Sequence, residues 1–253
     1  MIETVTLCFF ALIAGLIDSI AGGGGLIQLP ALFIVLPHVP VATLLGTNKL
    51  ASISGTSVAT LQYARHIRID WKATLPATIT ALIASFLGAR TVTLVNPGTM
   101  RPLILIMLIA IAIYTFMRKD FGSLHAPRLD RVKGYLVSIA TGALIGFYDG
   151  FFGPGTGSFL IFVFIGIFGF SFLSASASSK VVNLATNLSA VLYFAFTGNI
   201  IYTTAILMGL CNILGALIGT RLAILRGNRF VRIFFLIVVA CLIAKLAYDM
   251  FFK

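Results

Sequence analysis

The chain has 253 residues, of which 59% are hydrophobic and 10% charged, with a net charge of +11 and a mean hydropathy of +1.07. A soluble domain carries about 25% charged residues, so this chain lacks the polar surface to face water. That excludes a soluble enzyme, a disordered chain and a secreted disulfide scaffold, and leaves an all-α polytopic membrane protein.

Apolar runs are expected at 4–20, 25–36, 41–64, 71–94 and 98–118, and again at 131–151, 157–170, 173–196, 202–225 and 229–252. Each full crossing needs roughly 20 apolar residues, so eight to ten segments fill the chain. The breaks carry turn chemistry: GGGG at 22–25, Pro37 and Pro40, Asn96-Pro97-Gly98, Gly153-Pro154-Gly155, Gly198-Asn199 and Gly227-Asn228. The longest polar stretch, Arg118 to Lys133, is the one credible linker. The early run is no signal peptide by this reading, because Glu3 replaces the basic start such a peptide needs. Lys and Arg fall mainly in short loops, the distribution of the positive-inside rule and not of a nucleic-acid surface. Cys8, Cys211 and Cys241 lie in apolar runs without metal-ligand spacing and read as packing residues. His38, His66 and His125 sit in loops or at segment ends and read as solvated.

The two halves repeat. One ungapped offset of 131 residues aligns Gly15 with Gly146, Asp18 with Asp149, Gly22 and Gly24 with Gly153 and Gly155, and Lys49 with Lys180. It also aligns Gly88 with Gly219, Arg90 with Arg221, Arg101 with Arg232 and Trp71 with Tyr202, the last two as interfacial anchors. The chain has only seven acidic residues, so two in register inside apolar runs argue against coincidence. The loop near 65–72 holds Arg65, Arg68 and Lys72, whereas its counterpart near 196–203 is uncharged. The basic loop thus changes place between halves, as an inverted repeat requires. Eight spans in parallel halves are the alternative.

Three constellations could carry chemistry. An Asp stands four residues before each glycine cluster, in GLIDSIAGGGGLIQLP (15–30) and GFYDGFFGPGTGSFL (146–160). Consecutive glycines interrupt a helix, and an unwound backbone in lipid survives only against protein or a water-filled cavity. Paired breaks therefore mark a transporter's binding site, with restarted helix N-termini suited to an anion. Close helix packing is the plainer use of such glycines. Next, TNKLASISGT (47–56) and SSKVVNLATN (178–187) place Lys49, Ser52 and Thr56, and Lys180, Asn183 and Asn187, on matching helix faces. A lysine at a membrane helix centre costs roughly 2.5–3.5 kcal/mol, which an anionic substrate would offset; snorkelling to the interface is the other reading. Finally, Asp18 and Asp149 suit either a coupling proton or a salt bridge to Lys49 or Lys180.

At GLIDSIAGGGGLIQLPAL, TNKLAS, GPGTGSFL and SSKVVNLATNLSAVLYFAFTGNI the chain resembles the TauE/SafE family, the sulfite-exporter group of membrane transporters, over nearly its whole length. The resemblance implies export or uptake of sulfur oxyanions or sulfonates, such as sulfite, thiosulfate or sulfoacetate, across a prokaryotic inner membrane.

The reading is thus of a multi-pass inner-membrane carrier with a first transmembrane repeat at 1–120, a cytoplasmic linker at 121–133 and a second repeat at 134–253. Its small anionic solute is placed among Gly23, Gly24, Gly25, Gln28, Asn48, Lys49, Ser52, Thr56, Gly155, Thr156, Lys180, Asn183 and Asn187. Asp18 and Asp149 are the candidates for proton coupling, and one half rocks against the other. Apart from the solute, the bilayer is the expected partner and a homodimer the assembly entertained. No enzyme activity, cofactor, metal or nucleic acid is expected. An anion channel, or a carrier of a non-sulfur organic anion, is the alternative.

Overall fold

The computed structural model describes residues 2–95 and 131–252, which form eight helices without a strand among the described residues. The apolar run at 98–118, the Asn96-Pro97-Gly98 break, Arg101 and residues 121–130 of the expected linker lie outside them. The helices are α1 (Ile2–Ala21), α2 (Gly25–Val35), α3 (Val41–His66), α4 (Trp71–Leu94), α5 (Arg131–Phe151), α6 (Thr156–Gly166), α7 (Phe172–Phe196) and α8 (Tyr202–Phe252). The last is interrupted at Gly227, whose φ is +71°.

Their starts follow the local chemistry. Pro40 precedes α3, and the carboxylate of Asp70 caps α4 by accepting from the amides of Lys72 and Ala73 at 3.0 and 3.4 Å. Ser171 caps α7 by accepting from the Ser174 amide. The repeat holds at the level of elements. The 131-residue offset carries α2, Gly25–Val35, onto α6, Thr156–Gly166, with the same bounds. Each has 11 residues and spans about 16 Å at 1.5 Å per residue, half of a bilayer core of roughly 30 Å. By contrast α1, α4 and the Tyr202–Gly227 part of α8 are long and apolar enough to cross a membrane.

The halves interleave rather than sit side by side. α4 packs along α5, with Ala77 against Gly142, Ala81 against Gly146 and Ser85 against Gly150, so the two run parallel. Its counterpart α8 packs along α1 in the same way, with Gly215 against Leu12 and Gly219 against Leu16 and Ser19. Glycine is needed at these contacts because a Cβ would enter the neighbouring backbone. α3 and α7, which are repeat-equivalent, meet antiparallel: Gly46 lies against Phe194, while the Thr60 hydroxyl donates to the Lys180 carbonyl at 3.1 Å. The 67–70 loop and the 197–201 loop are thereby at opposite ends of this pair. Arg65, Arg68 and Lys72 surround the first; the second is tied to the start of α3, where Thr47 Oγ1 accepts from the Ile201 amide at 3.0 Å.

Burial is the reverse of a soluble fold. Ser19, Gln28, Thr47, Asn48, Lys49, Thr56, Asp149, Lys180, Asn183 and Asn187 are buried, while Ile79, Ile83, Phe86 and Leu87 on α4 and Ile206, Leu210, Leu214 and Ile218 on α8 are exposed. Trp71 and Tyr202 are exposed as well, one at the start of each fourth helix of a repeat.

Candidate functional site

Both glycine clusters break the chain at the middle of the bundle, and the breaks touch. α1 closes with the Gly22 amide donating to the Asp18 carbonyl at 2.9 Å. The backbone then turns through Gly22 and Gly23, at φ +72° and +92°, before α2 starts. In the second half Gly153 and Gly155 take φ +97° and +82° before α6 starts. Gly22 abuts Gly157, and Gly25 abuts Pro154. The Ser158 hydroxyl bonds across the junction to the Ala21 carbonyl at 3.2 Å. Two helix N-termini therefore converge on one place; the Leu26 and Ile27 amides of α2 and the Thr156 amide of α6 are already bonded to the Gly23, Gly24 and Gly153 carbonyls.

The cavity between them has a volume of about 30 Å³. Of the residues singled out from the sequence, Gly23, Gly24, Gly25, Gln28, Asn48, Lys49, Ser52, Thr56, Gly155, Thr156, Asn183 and Asn187 line it, together with Asp18 and Asp149. Lys180 does not: it is fully buried behind Asp18. Gly153, Gly157 and Asn212 also line the cavity and were not among the sites expected from the sequence. Asn212 stands opposite Ala81 in the repeat, so duplication gave no signal for it. Its lone amide in the apolar run YTTAILMGLCNILGALIG could have done so.

Charge in the site is paired across the halves. Lys49 Nζ lies 2.6 Å from Asp149 Oδ2, and Lys180 Nζ lies 2.7 Å from Asp18 Oδ2. Asp18 Oδ1 also accepts from the Gly24 amide at 3.3 Å, which ties the carboxylate to the break. Each lysine thus reaches the carboxylate of the opposite repeat. The salt-bridge use of Asp18 and Asp149 is realised, and neither lysine snorkels to an interface. The four formal charges sum to zero. Asn187 donates to Asn183 Oδ1 at 3.1 Å. Two buried polar atoms of residues that line the cavity, Gln28 Nε2 and Asn48 Oδ1, have no hydrogen-bond partner among the described residues. Such atoms cost about 1–3 kcal/mol when left unpaired.

The family model for the sulfite exporter TauE/SafE matches residues 7–246. The chain belongs to the TauE/SafE family. It is similar to the probable membrane transporter protein ORF9 of Sinorhizobium sp, with 38% identity over 239 residues covering 94% of this chain and 90% of that protein. It is 36% identical to the probable membrane transporter protein YfcA of Escherichia coli strain K12 over 246 residues, 96% of this chain and 89% of that one. A probable membrane transporter protein of Haemophilus influenzae is 32% identical over 237 residues, 94% and 91% of the two chains. No solved structure matches significantly. This TauE/SafE chain is therefore an integral membrane transporter.

Proposed function

We propose that the protein is a secondary carrier of one small oxyanion, with sulfur oxyanions and organosulfonates as the substrate class, in the inner membrane. The carrying observation is the small polar cavity where two broken helices present their N-termini to each other. Helix N-termini favour anions through oriented amides and the positive dipole end. Gln28, Ser52, Thr56, Asn183 and Asn187 supply side-chain hydrogen bonds around the same space. Membership of a family described as sulfite exporters points to the same class of solute.

The electroneutral Lys–Asp cluster bears on coupling. An anion entering a site whose charges already cancel brings an uncompensated negative charge into a low-dielectric interior, which is costly. A proton on Asp149 would release Lys49, which lines the cavity, to the anion, so that proton and anion travel together. The rigid units of such a cycle would be composite, α1–α2–α8 against α4–α5–α6, because α4 and α8 are each packed on the other half. We further infer that the halves are inverted in the membrane. Support comes from the antiparallel meeting of the repeat-equivalent α3 and α7, since a two-fold axis relating antiparallel spans lies in the membrane plane.

The test is uptake of radiolabelled sulfite and thiosulfate into proteoliposomes with and without a pH gradient. Saturable uptake driven by the gradient is expected, and Lys49→Ala and Lys180→Ala should each lose most of it. Wild-type rates in both variants would remove the lysines from the site; flux that never saturates would favour a channel.

A further inference from the structure

The cavity is less symmetric than the fold that encloses it. Asp18 and Asp149, Ser52 and Asn183, and Thr56 and Asn187 face it as repeat pairs. Gln28, Asn48, Lys49 and Asn212 face it alone; their repeat positions are Phe159, Ser179, Lys180 and Ala81, none of which lines it. Ser179 is committed elsewhere, donating to the Gly157 carbonyl at 3.0 Å. One wall therefore carries extra polar groups, and two of them form a chain. The Asn212 Nδ2 donates to the Ala11 carbonyl at 3.1 Å and to Gln28 Oε1 at 3.0 Å. Both amides are buried, and Gln28 Nε2 is left without a partner at the cavity wall.

This chain has a direction that does not depend on how either amide is drawn. A backbone carbonyl only accepts, so the Asn212 atom facing Ala11 must be its NH₂ group. That same nitrogen faces Gln28, so Gln28 must answer with its oxygen. The group of Gln28 that is then left unpaired is its NH₂, a pure donor. Space for this arrangement is made on purpose by the sequence: a Cβ at Gly15 or Gly55 would collide with Asn212.

We propose that Gln28 Nε2 is the specificity-determining donor of the transport site and that Asn212 is its positioning residue, with the polarity set by the Ala11 carbonyl. The inference rests on the oxyanion reading above and deepens it. The guest must present an acceptor oxygen to α2, on the Lys49 side of the pseudo-symmetry axis. Solutes that offer a donor there, such as an ammonium or amide group, are rejected because two donors would face each other.

The experiment is uptake of radiolabelled sulfite and thiosulfate by wild type, Gln28→Met, Asn212→Ala and the double variant in proteoliposomes. Gln28→Met keeps the size of the side chain and removes the donor; KM should rise about tenfold or more, with maximal rate within about twofold. Asn212→Ala frees the Gln28 amide to rotate, and a smaller KM rise is expected. In the Gln28→Met background, Asn212→Ala should add no further change in KM, because its effect passes through Gln28. Should Asn212→Ala fail to yield folded protein, Gln28→Met decides by itself. Uptake by wild type with unchanged KM in Gln28→Met would overturn this inference and leave the oxyanion reading standing. Independent, additive effects of the two changes would overturn the positioning role. Absence of uptake of either anion by the wild type would overturn both readings together.

Discussion

Lys49 and Asp149 are 100 residues apart in sequence and 2.6 Å apart in space, and the repeat copies of these two residues, Lys180 and Asp18, form the second buried bridge. The pairing crosses from one half to the other twice. A buried ion pair gains little net stability, but removing one partner strands a charge and costs about 3–5 kcal/mol. Lys49→Met and Asp149→Asn are therefore expected each to lower the melting temperature in detergent strongly, and the double variant to recover most of the loss. Additive losses in the double variant would show that the two groups do not compensate each other.

The turn at each break should tolerate no side chain. Gly22 and Gly153 have positive φ, where an L-residue pays about 1–2 kcal/mol, and a Cβ at Gly22 would also enter the backbone of Gly157. Gly22→Ala should cost more than Gly153→Ala, since the latter meets the flexible end of Lys49. Thermal melting of the two purified variants checks the order; equal melting temperatures would contradict the close approach of the breaks.

Asn48 offers a cleaner separation of stability from function. Its Oδ1 is buried without a partner on the cavity wall. Asn48→Leu removes that unpaired acceptor, so the variant should melt no lower than wild type, and higher by up to about 1–3 kcal/mol of stability. Sulfite uptake should nonetheless fall, because Asn48→Leu also removes an amide NH₂ donor from a residue that lines the cavity. A variant that melts well below wild type would mean that Asn48 holds the fold rather than the guest.

Orientation can be read with thiol reagents. In a background with Cys8, Cys211 and Cys241 replaced, Arg68→Cys and Thr197→Cys each expose one thiol, in the 67–70 loop and at the end of α7. An impermeant maleimide is expected to label them from opposite sides of the membrane, with Arg68→Cys on the cytoplasmic side, where Lys and Arg gather. Labelling from the same side would exclude inversion.

The sequence was most informative where the physics is local or duplicated. Helix starts at Val41, Trp71 and Phe172 follow from Pro40, Asp70 and Ser171 beside apolar runs, and the single offset placed the equivalents of Asp18 and Lys49 in advance. Which aspartate each lysine meets was not legible, because the partner depends on how α3 and α7 cross and not on spacing along the chain. Lys180 shows the same limit. Its helix face matches that of Asn183 and Asn187, yet it sits behind Asp18, because the two halves present unequal surfaces to one cavity. Asn212 was hidden for a related reason: it breaks the repeat, and repetition was the strongest signal available.

The interleaving of α1 with α8 and of α4 with α5 also bears on synthesis. α1 leaves the ribosome well before its main neighbour α8 has been made, so it waits in the bilayer with Gly15 and Ser19 uncovered. Among the described residues, each hydrophobic cluster draws on both halves, so a repeat produced as a separate polypeptide would lack part of its packing. Closure of the core thus waits on the synthesis of α8, and a ribosome stalled before residue 202 would leave α1 without its main packing partner.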